Sequence, residues 1–345
     1  MEHPLLIEYN GIPGWVLLLA LGGISIAFFI YQVQKAIRLV LRGSSDPRTD
    51  AWFSRVVEVV TGWLGQKRVL EDRVAGVLHV LMFWGFLMLS SDMFDLATAN
   101  WFSESLLPKM LVGPWNGMVE LGYTSALIGC VAALTRRVIF TPEKLKGKSQ
   151  LEGNAILVLI FTITTTSFVV ESAESPSQFW EPLGYLVAQM GLSDGFVIIS
   201  YWMHMAAICC FLILIPLSKH MHLVMALPNV FFFDRTPMAK MRPLAIGDNG
   251  MAVPLEELDI DTFGVSTFSQ YTWRQLIDGW ACTSCARCQD VCPAYESGKT
   301  LNPMQIVHDV RSYANEHAPI LLSGETPDET MMERLSADAV WACTT

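Results

Sequence analysis

Five long apolar stretches constrain this chain more than any other feature: Gly14 to Val33, Val74 to Thr98, Asn116 to Leu134, Asn154 to Ser172 and Gly195 to Leu217. A helix of roughly 20 apolar residues crosses the ~30 Å hydrocarbon core of a bilayer. Lipid offers no partner for backbone N–H and C=O groups, so an apolar run that spans it has to pair them internally, as a helix does. The expected fold is an all-α membrane domain of five transmembrane helices over residues 1–222. The first stretch is not a cleavable signal, since no basic region precedes it and no small-residue cleavage site follows. Only 16% of the residues are charged and 52% are hydrophobic, which excludes a disordered chain. A formal charge of -10 argues against a nucleic-acid partner, because phosphate binding requires Lys and Arg patches.

Basic residues accumulate on the cytoplasmic side of a membrane protein. Of the 23 here, only Lys109 falls in a segment assigned to the opposite side. The connection after the first stretch carries Lys35, Arg38, Arg42, Arg48, Arg55, Lys67, Arg68 and Arg73, and the one after the third carries Arg136, Arg137, Lys144, Lys146 and Lys148. This places the N-terminus outside, everything after Leu217 inside, and the chain in the cell's inner membrane. The segment Ala51 to Gly65 has helical apolar spacing and is expected to pack along the inner interface. Residues 223–270 read as a linker containing Pro228, Pro237, Pro243 and Pro254, with a short strand near Thr262 to Phe268. A small soluble module occupies residues 271–345.

That module opens on Cys282-Thr-Ser-Cys285-Ala-Arg-Cys288-Gln-Asp-Val-Cys292-Pro293. Three thiolates two residues apart suit the corners of one [4Fe–4S] cubane, and the fourth Cys of such a run ligates a second cluster. Zinc sites instead pair two-residue knuckles across a longer stretch. Cys343 reads as the first ligand of a second cysteine set, to be shared with Cys292. The remaining ligands would lie in a longer polypeptide or on a partner chain, so the module is expected to be incomplete at its C-terminus. Cys130, Cys209 and Cys210 lie in apolar runs and read as small hydrophobes.

Ionisable residues inside a bilayer mark functional sites. His79 lies in the second stretch, His204 in the fifth, and His222 just beyond it. His204 and His222 are 18 residues apart, five whole turns of a continuous helix. Axial His ligands on facing helices would bracket a b-type haem; depth alone does not decide whether His204 or His222 partners His79. Asp92, Glu120 and Glu171 are polar residues near the outer ends of the apolar stretches, with His204 deeper. His308 and His317 are expected on the surface of the soluble module.

The five-span layout with His204, Pro216 and His222 resembles the cytochrome b (gamma) subunit family of respiratory nitrate reductase. The stretch Pro216-Leu-Ser-Lys-His220-Met-His222, followed by Cys282 to Pro293 and Ala294-Tyr295-Glu-Ser-Gly298-Lys299, resembles membrane-bound iron–sulfur oxidoreductases related to heterodisulfide reductase. Within that group it is most similar to electron-transfer-flavoprotein:menaquinone oxidoreductases, which join a haem b domain to a ferredoxin module and cysteine-rich CCG domains. The resemblance implies a haem b bundle followed by a small helical ferredoxin-type [4Fe–4S] module. It makes His79 and His222 the ligands of one haem. Where two-haem relatives carry a further His ten residues after His79, this chain has Leu89, so one haem is expected and His204 is left to line a quinone pocket or hold a second. It further implies electron transfer between reduced electron-transfer flavoprotein and menaquinone through two [4Fe–4S] clusters, and it makes Asp92, Glu120 and Glu171, with His204 deeper, the candidates for quinone protonation. Competing readings are a heterodisulfide or sulfur-compound reductase, a non-catalytic electron-transfer subunit, and a five-span receptor or transporter with a zinc-binding tail.

Overall fold

A computed structural model describes residues 3–102, 109–140, 148–235, 265 and 267–343, with the side chains of 92–102, 109 and 148–150 outside that description. Five of its helices are long and apolar enough to cross a membrane: α1 (Gly14–Val40), α3 (Arg73–Phe102), α4 (Lys109–Val138), α5 (Lys148–Glu171) and α7 (Asp194–Leu217). They match the five apolar stretches. Between them lie the short helices α2 (Trp52–Glu58), which continues as a π-helical turn over Val59–Leu64, and α6 (Pro182–Ala188). The chain divides into two compact units, Met1–Ile30 with Gly65–Ser218, and Tyr31–Leu64 with Lys219–Thr345.

The first unit holds most of the apolar helices. Close approach of α3 and α4 depends on small residues, the usual device where lipid provides no hydrophobic drive between helices. A Cβ on Gly85 would stand 2.7 Å from both the Ala126 Cβ and the Gly122 carbonyl, and one on Gly129 would stand 3.0 Å from the Leu78 carbonyl. Side chains such as Leu19 (66% exposed), Ile24 (68%) and Ile199 (60%) point outward, as lipid-facing positions do. Helix α5 is rich in hydroxyls that donate back to carbonyls one turn earlier, with Thr164 and Ser167 buried against neighbours. Ser193 caps α7 by accepting from the Phe196 amide. An N-terminal hairpin pairs Glu8–Tyr9 with Ile12–Pro13, turning through Asn10 and Gly11, both at positive φ, as a type I′ turn requires. Its Tyr9 hydroxyl accepts from the Trp202 indole at 2.8 Å.

Helix α7 ends at Leu217, where the sequence reading required it to continue through His222. Pro216 provides no amide and crowds the carbonyl four residues earlier. Ser218 is then extended at φ -116°, ψ -178°. A 3₁₀ turn over Lys219–Met221 follows, and a new helix, α8 (His222–Phe231), starts at His222. The five-turn relation between His204 and His222 therefore does not describe the chain. Part of the expected linker is the helix α8; residues 236–264 lie outside the described ones. Of the expected strand, Thr267 and Phe268 instead enter a 3₁₀ turn, Phe268–Gln270, held by a Thr267/Gln270 capping box.

The second unit is built on α9 (Trp273–Ala281) and α12 (Pro303–Glu316) with the short helices α10 (Arg287–Asp290), α11 (Pro293–Glu296), α13 (Ala318–Ser323), α14 (Met331–Leu335) and α15 (Ala337–Trp341). Each longer helix starts where its sequence says it should. Thr272 and Gln275 form a capping box, and Asn302 accepts from two amides ahead of Pro303. Leu276, Trp280, Tyr313, Ala314 and Met331 are buried together with Leu39 and Met221. Ser44 pairs with this unit edge-on, its amide donating to the Tyr271 carbonyl at 2.8 Å and its carbonyl accepting from the Trp273 amide at 3.1 Å. Arg55 is buried and donates to the carbonyls of Asp50, Phe231 and Phe233. The apolar residues around it, Trp52 (66% exposed) and Phe53 (74%), face outward.

Candidate functional site

The four clustered cysteines follow the C-terminal end of α9. Cys282 is its C-cap and extended, Cys288 lies in α10, and Cys292 precedes Pro293 at the start of α11. Between them Ser284 and Ala286 adopt left-handed φ values of 56° and 62°, uncommon for residues with a Cβ. These two positions fold the segment into a tight loop instead of a third helix. Cys282 and Cys292 are half-buried, Cys285, Cys288 and Cys343 are exposed, and none of the eight cysteines forms a disulfide. Burial pushes the Cys282 thiol above the usual range, and the neighbouring Cys285 and Cys288 charges push it further, while the Ser284 amide and Arg311 pull the other way. Burial likewise raises the Cys288 thiol, with Cys285 adding to it.

Cys282, Cys285 and Cys288 share one short loop, and thiolates at this spacing suit a shared inorganic centre. Among the described residues no three His, Cys, Asp or Glu side chains converge on a single ion. A zinc ion with sulfurs at 2.3 Å needs them about 3.8 Å apart. A cubane gives each thiolate its own iron and accepts wider spacing. The donor set suits either thiophilic centre, and what separates an iron–sulfur cluster from zinc here is the spacing of the cysteines in the sequence.

Sequence reading left His308 on the surface, and the structure places it beside this loop. Its Nε2 lies 3.0 Å from the Ser284 Oγ and 3.6 Å from the Cys282 Sγ. The two partners are 24 and 26 residues away in sequence, so no local spacing signals the contact; only the helical phase of His308 and Arg311, three residues apart on α12, hints at it. His317 is half-buried, stacks near Tyr313 and pairs with Glu329 at 2.8 Å.

The histidines in and just beyond the apolar helices make contacts of different kinds. His79 is half-buried on α3, its ring stacked on Phe83 at 6.3 Å. His204 on α7 has its Nδ1 3.1 Å from the Ile163 carbonyl and 3.0 Å from the Thr166 hydroxyl. A carbonyl only accepts, so Nδ1 carries the proton and Nε2 keeps its lone pair. The Nδ1 of His222 lies 2.8 Å from the Lys219 carbonyl, which assigns the same tautomer. Burial, partly offset by that carbonyl, holds His222 below the ordinary imidazole range, in the neutral form. A protonated Nδ1 held on a backbone carbonyl is how proteins orient metal-binding imidazoles, and His204 and His222 both make that contact. His79 and His204 belong to the first unit, and His222 and the cysteines to the second.

Glu120 is buried and both its oxygens are used, Oε1 accepting from the Leu183 amide at 3.0 Å and Oε2 from the Gly184 amide at 2.9 Å. It caps α6 across 63 residues of sequence. The carboxylates of Glu171 and Glu120 both approach Gly184, where a Cβ would stand 3.2–3.3 Å from each. Asp92 lies in α3, and its side chain is outside the described ones.

No family model matches the chain, and no solved structure matches it. The chain is 27% identical to EtfAB:quinone oxidoreductase of Syntrophomonas wolfei over 366 aligned residues, covering 98% of this chain and 50% of that protein. It is 24% identical to the probable iron-sulfur-binding oxidoreductase FadF of Bacillus subtilis over 89% of this chain and 44% of the relative. A third similarity, 32% identity to a probable membrane-anchored ferredoxin of Chromohalobacter salexigens, covers 29% of this chain and 18% of that protein. The chain thus spans about half the length of the first two relatives. Together they relate it to membrane-associated iron–sulfur oxidoreductases.

Proposed function

We propose that this chain is the membrane-embedded, electron-relaying part of an iron–sulfur oxidoreductase that passes electrons between reduced electron-transfer flavoprotein and menaquinone. The observation that carries this reading is the cysteine loop after α9, with its left-handed Ser284 and Ala286, on a chain with five membrane-length apolar helices. The nature of the relatives supports it. Cys282, Cys285 and Cys288 hold one [4Fe–4S] cluster, Cys292 and Cys343 contribute to a second, and His79 with His222 hold a haem b. When bound, these groups supply one-electron chemistry at potentials set by ligands, hydrogen bonds and burial.

The chain's own residues do the rest. The Lys219 carbonyl orients the His222 ring through its Nδ1. Ile163 and Thr166 do the same for His204, whose Nε2 is an acceptor able to exchange a proton with a quinol hydroxyl, or to take an iron if a second haem is present. Glu120, committed to two amides, holds α6 in place and is not the proton donor in this reading. The basic first and third connections orient the chain so that the cysteine module faces the cytoplasm of the inner membrane, the side on which a soluble flavoprotein would dock.

The test uses the full-length protein in nanodiscs, reduced by dithionite or by reduced electron-transfer flavoprotein and reoxidised by a menaquinone analogue. The expected result is flavoprotein-driven quinone reduction that C285S abolishes and that H79A or H222A abolishes together with the reduced haem band. Rapid reduction by flavoprotein with no reoxidation by quinone would contradict the quinone half of the proposal. Reoxidation by a disulfide substrate instead would favour the sulfur-compound reductase reading.

A further inference from the structure

We propose that His308 is a positioning residue for the first cluster: its Nε2–H donates to the sulfur of Cys282 and raises the potential at which that cluster accepts an electron. The inference rests on the reading that Cys282, Cys285 and Cys288 hold a [4Fe–4S] cluster. Helix α12 is fixed about its axis from the other side, because Val310, Tyr313 and Ala314 are buried in the core. It is fixed along its axis by the Asn302 cap. Gly279 lets α9 lie close, since a Cβ there would stand 3.2 Å from the Arg311 Cβ. That packing leaves His308 facing the cysteine loop, with its Nε2 3.6 Å from the Cys282 Sγ and 3.0 Å from the Ser284 Oγ.

The direction of the hydrogen bond follows from the ligand. A thiolate bound to iron has no proton, so it can only accept, and a ring nitrogen facing it must be the donor. The Ser284 Oγ, 3.0 Å from the same nitrogen, accepts a share of that proton in a three-centre bond and keeps the ring from swinging away. A donor on a ligand sulfur stabilises the extra negative charge of the reduced cluster, and hydrogen bonds to the sulfurs are among the terms that set cluster potentials. Arg311, one turn along the same face, adds positive charge near Cys282. Neither the cysteine motif nor the similarity to known proteins assigns His308 any role.

The experiment compares wild type, H308L and H308Q of the full-length protein, each quantified for iron, poised over a range of ambient potentials at one pH and followed by EPR. Gln places an amide donor near the position of the imidazole Nε2. At a fixed ambient potential near the wild-type midpoint, H308L is expected to show about a tenfold lower reduced-to-oxidised ratio, about 59 mV for a one-electron couple, and H308Q a ratio near wild type. Pulsed EPR of the reduced wild type with isotopically labelled histidine nitrogen is expected to show a coupling that H308Q removes. An unchanged midpoint in H308L, or a normal cluster signal in wild type without that coupling, overturns the proposal while leaving the cluster reading intact. The second criterion decides the matter even if H308L loses its iron. Wild-type protein with neither iron nor a reduced signal would overturn the cluster reading itself, and this inference with it.

Discussion

Replacing Glu120 separates a structural carboxylate from a catalytic one. The side chain is 4% exposed and accepts from two backbone amides, of Leu183 and Gly184, at the start of α6. In E120A both N–H groups lose a charged acceptor. At about 1.5–3 kcal/mol for each hydrogen bond to a charged group, moderated by the ~0.5–2 kcal/mol usual for loss of a helix cap, the cost is about 3 kcal/mol. E120Q keeps one acceptor oxygen and turns an amide donor toward the other N–H, for a cost of about 1.5 kcal/mol. At roughly 2–4 °C per kcal/mol for a unit of this size, the melting temperature falls by about 6–12 °C in E120A and about 3–6 °C in E120Q. Trp180 reports the change, because its ring packs against α4 at Gly113 and Gly117, so intrinsic fluorescence during a thermal ramp in detergent is the assay. Quinone reduction per folded molecule at 25 °C is expected to change less than about twofold, since both carboxylate oxygens are engaged by backbone amides. E120Q melting like wild type while losing quinone reduction by a hundredfold or more would refute the capping account and restore Glu120 as a proton donor.

Three further outcomes follow from other contacts. G43A forces a methyl within 2.6 Å of the Trp273 amide and 2.7 Å of the Tyr271 carbonyl, both backbone; it should cost about 1–3 kcal/mol and speed hydrogen exchange at the Ser44 and Trp273 amides, and unchanged exchange would show that this pairing contributes nothing. F53C labelled with a polarity-sensitive probe should be quenched by lipid-phase and not by aqueous quenchers in nanodiscs, since Phe53 and Trp52 face outward beside buried Arg55; aqueous quenching would remove this helix from the membrane surface. The Glu329 carboxyl is held below its usual range by Arg334 and then by His317, so its contribution to stability is present above the unfolded-state pKa of about 4.3 and is lost as pH falls through the depressed folded value. Thermal bleaching of the cluster followed from pH 6 downward should therefore lose stability less steeply in E329Q than in wild type, and parallel curves would count against the coupling.

Much of the architecture was legible because lipid leaves so few solutions. Apolar length alone located the five helices, and cysteine spacing located the loop. What the sequence concealed was set by backbone geometry and tertiary contact. Periodicity put His204 and His222 on one face, but Pro216 and the extended Ser218 interrupt the helix between them. Helical spacing identified the apolar side of α2 without revealing which way it turns, because that depends on Arg55 engaging carbonyls 176 and 178 residues away. The same limit hid Ser44 on the edge of Thr272, Glu120 as the cap of α6, Thr166 against His204, and His308 against Cys282. Each is a polar group whose partner lies on another element, and no periodic pattern encodes such a pairing.

The most direct test of the account is the optical and EPR spectrum of the purified full-length protein before and after dithionite, with iron and zinc quantified on the same sample. The account predicts iron without stoichiometric zinc, broad bleaching and a cluster signal on reduction that C285S diminishes, and a sharp reduced haem band. Colourless protein carrying zinc on these cysteines would contradict it.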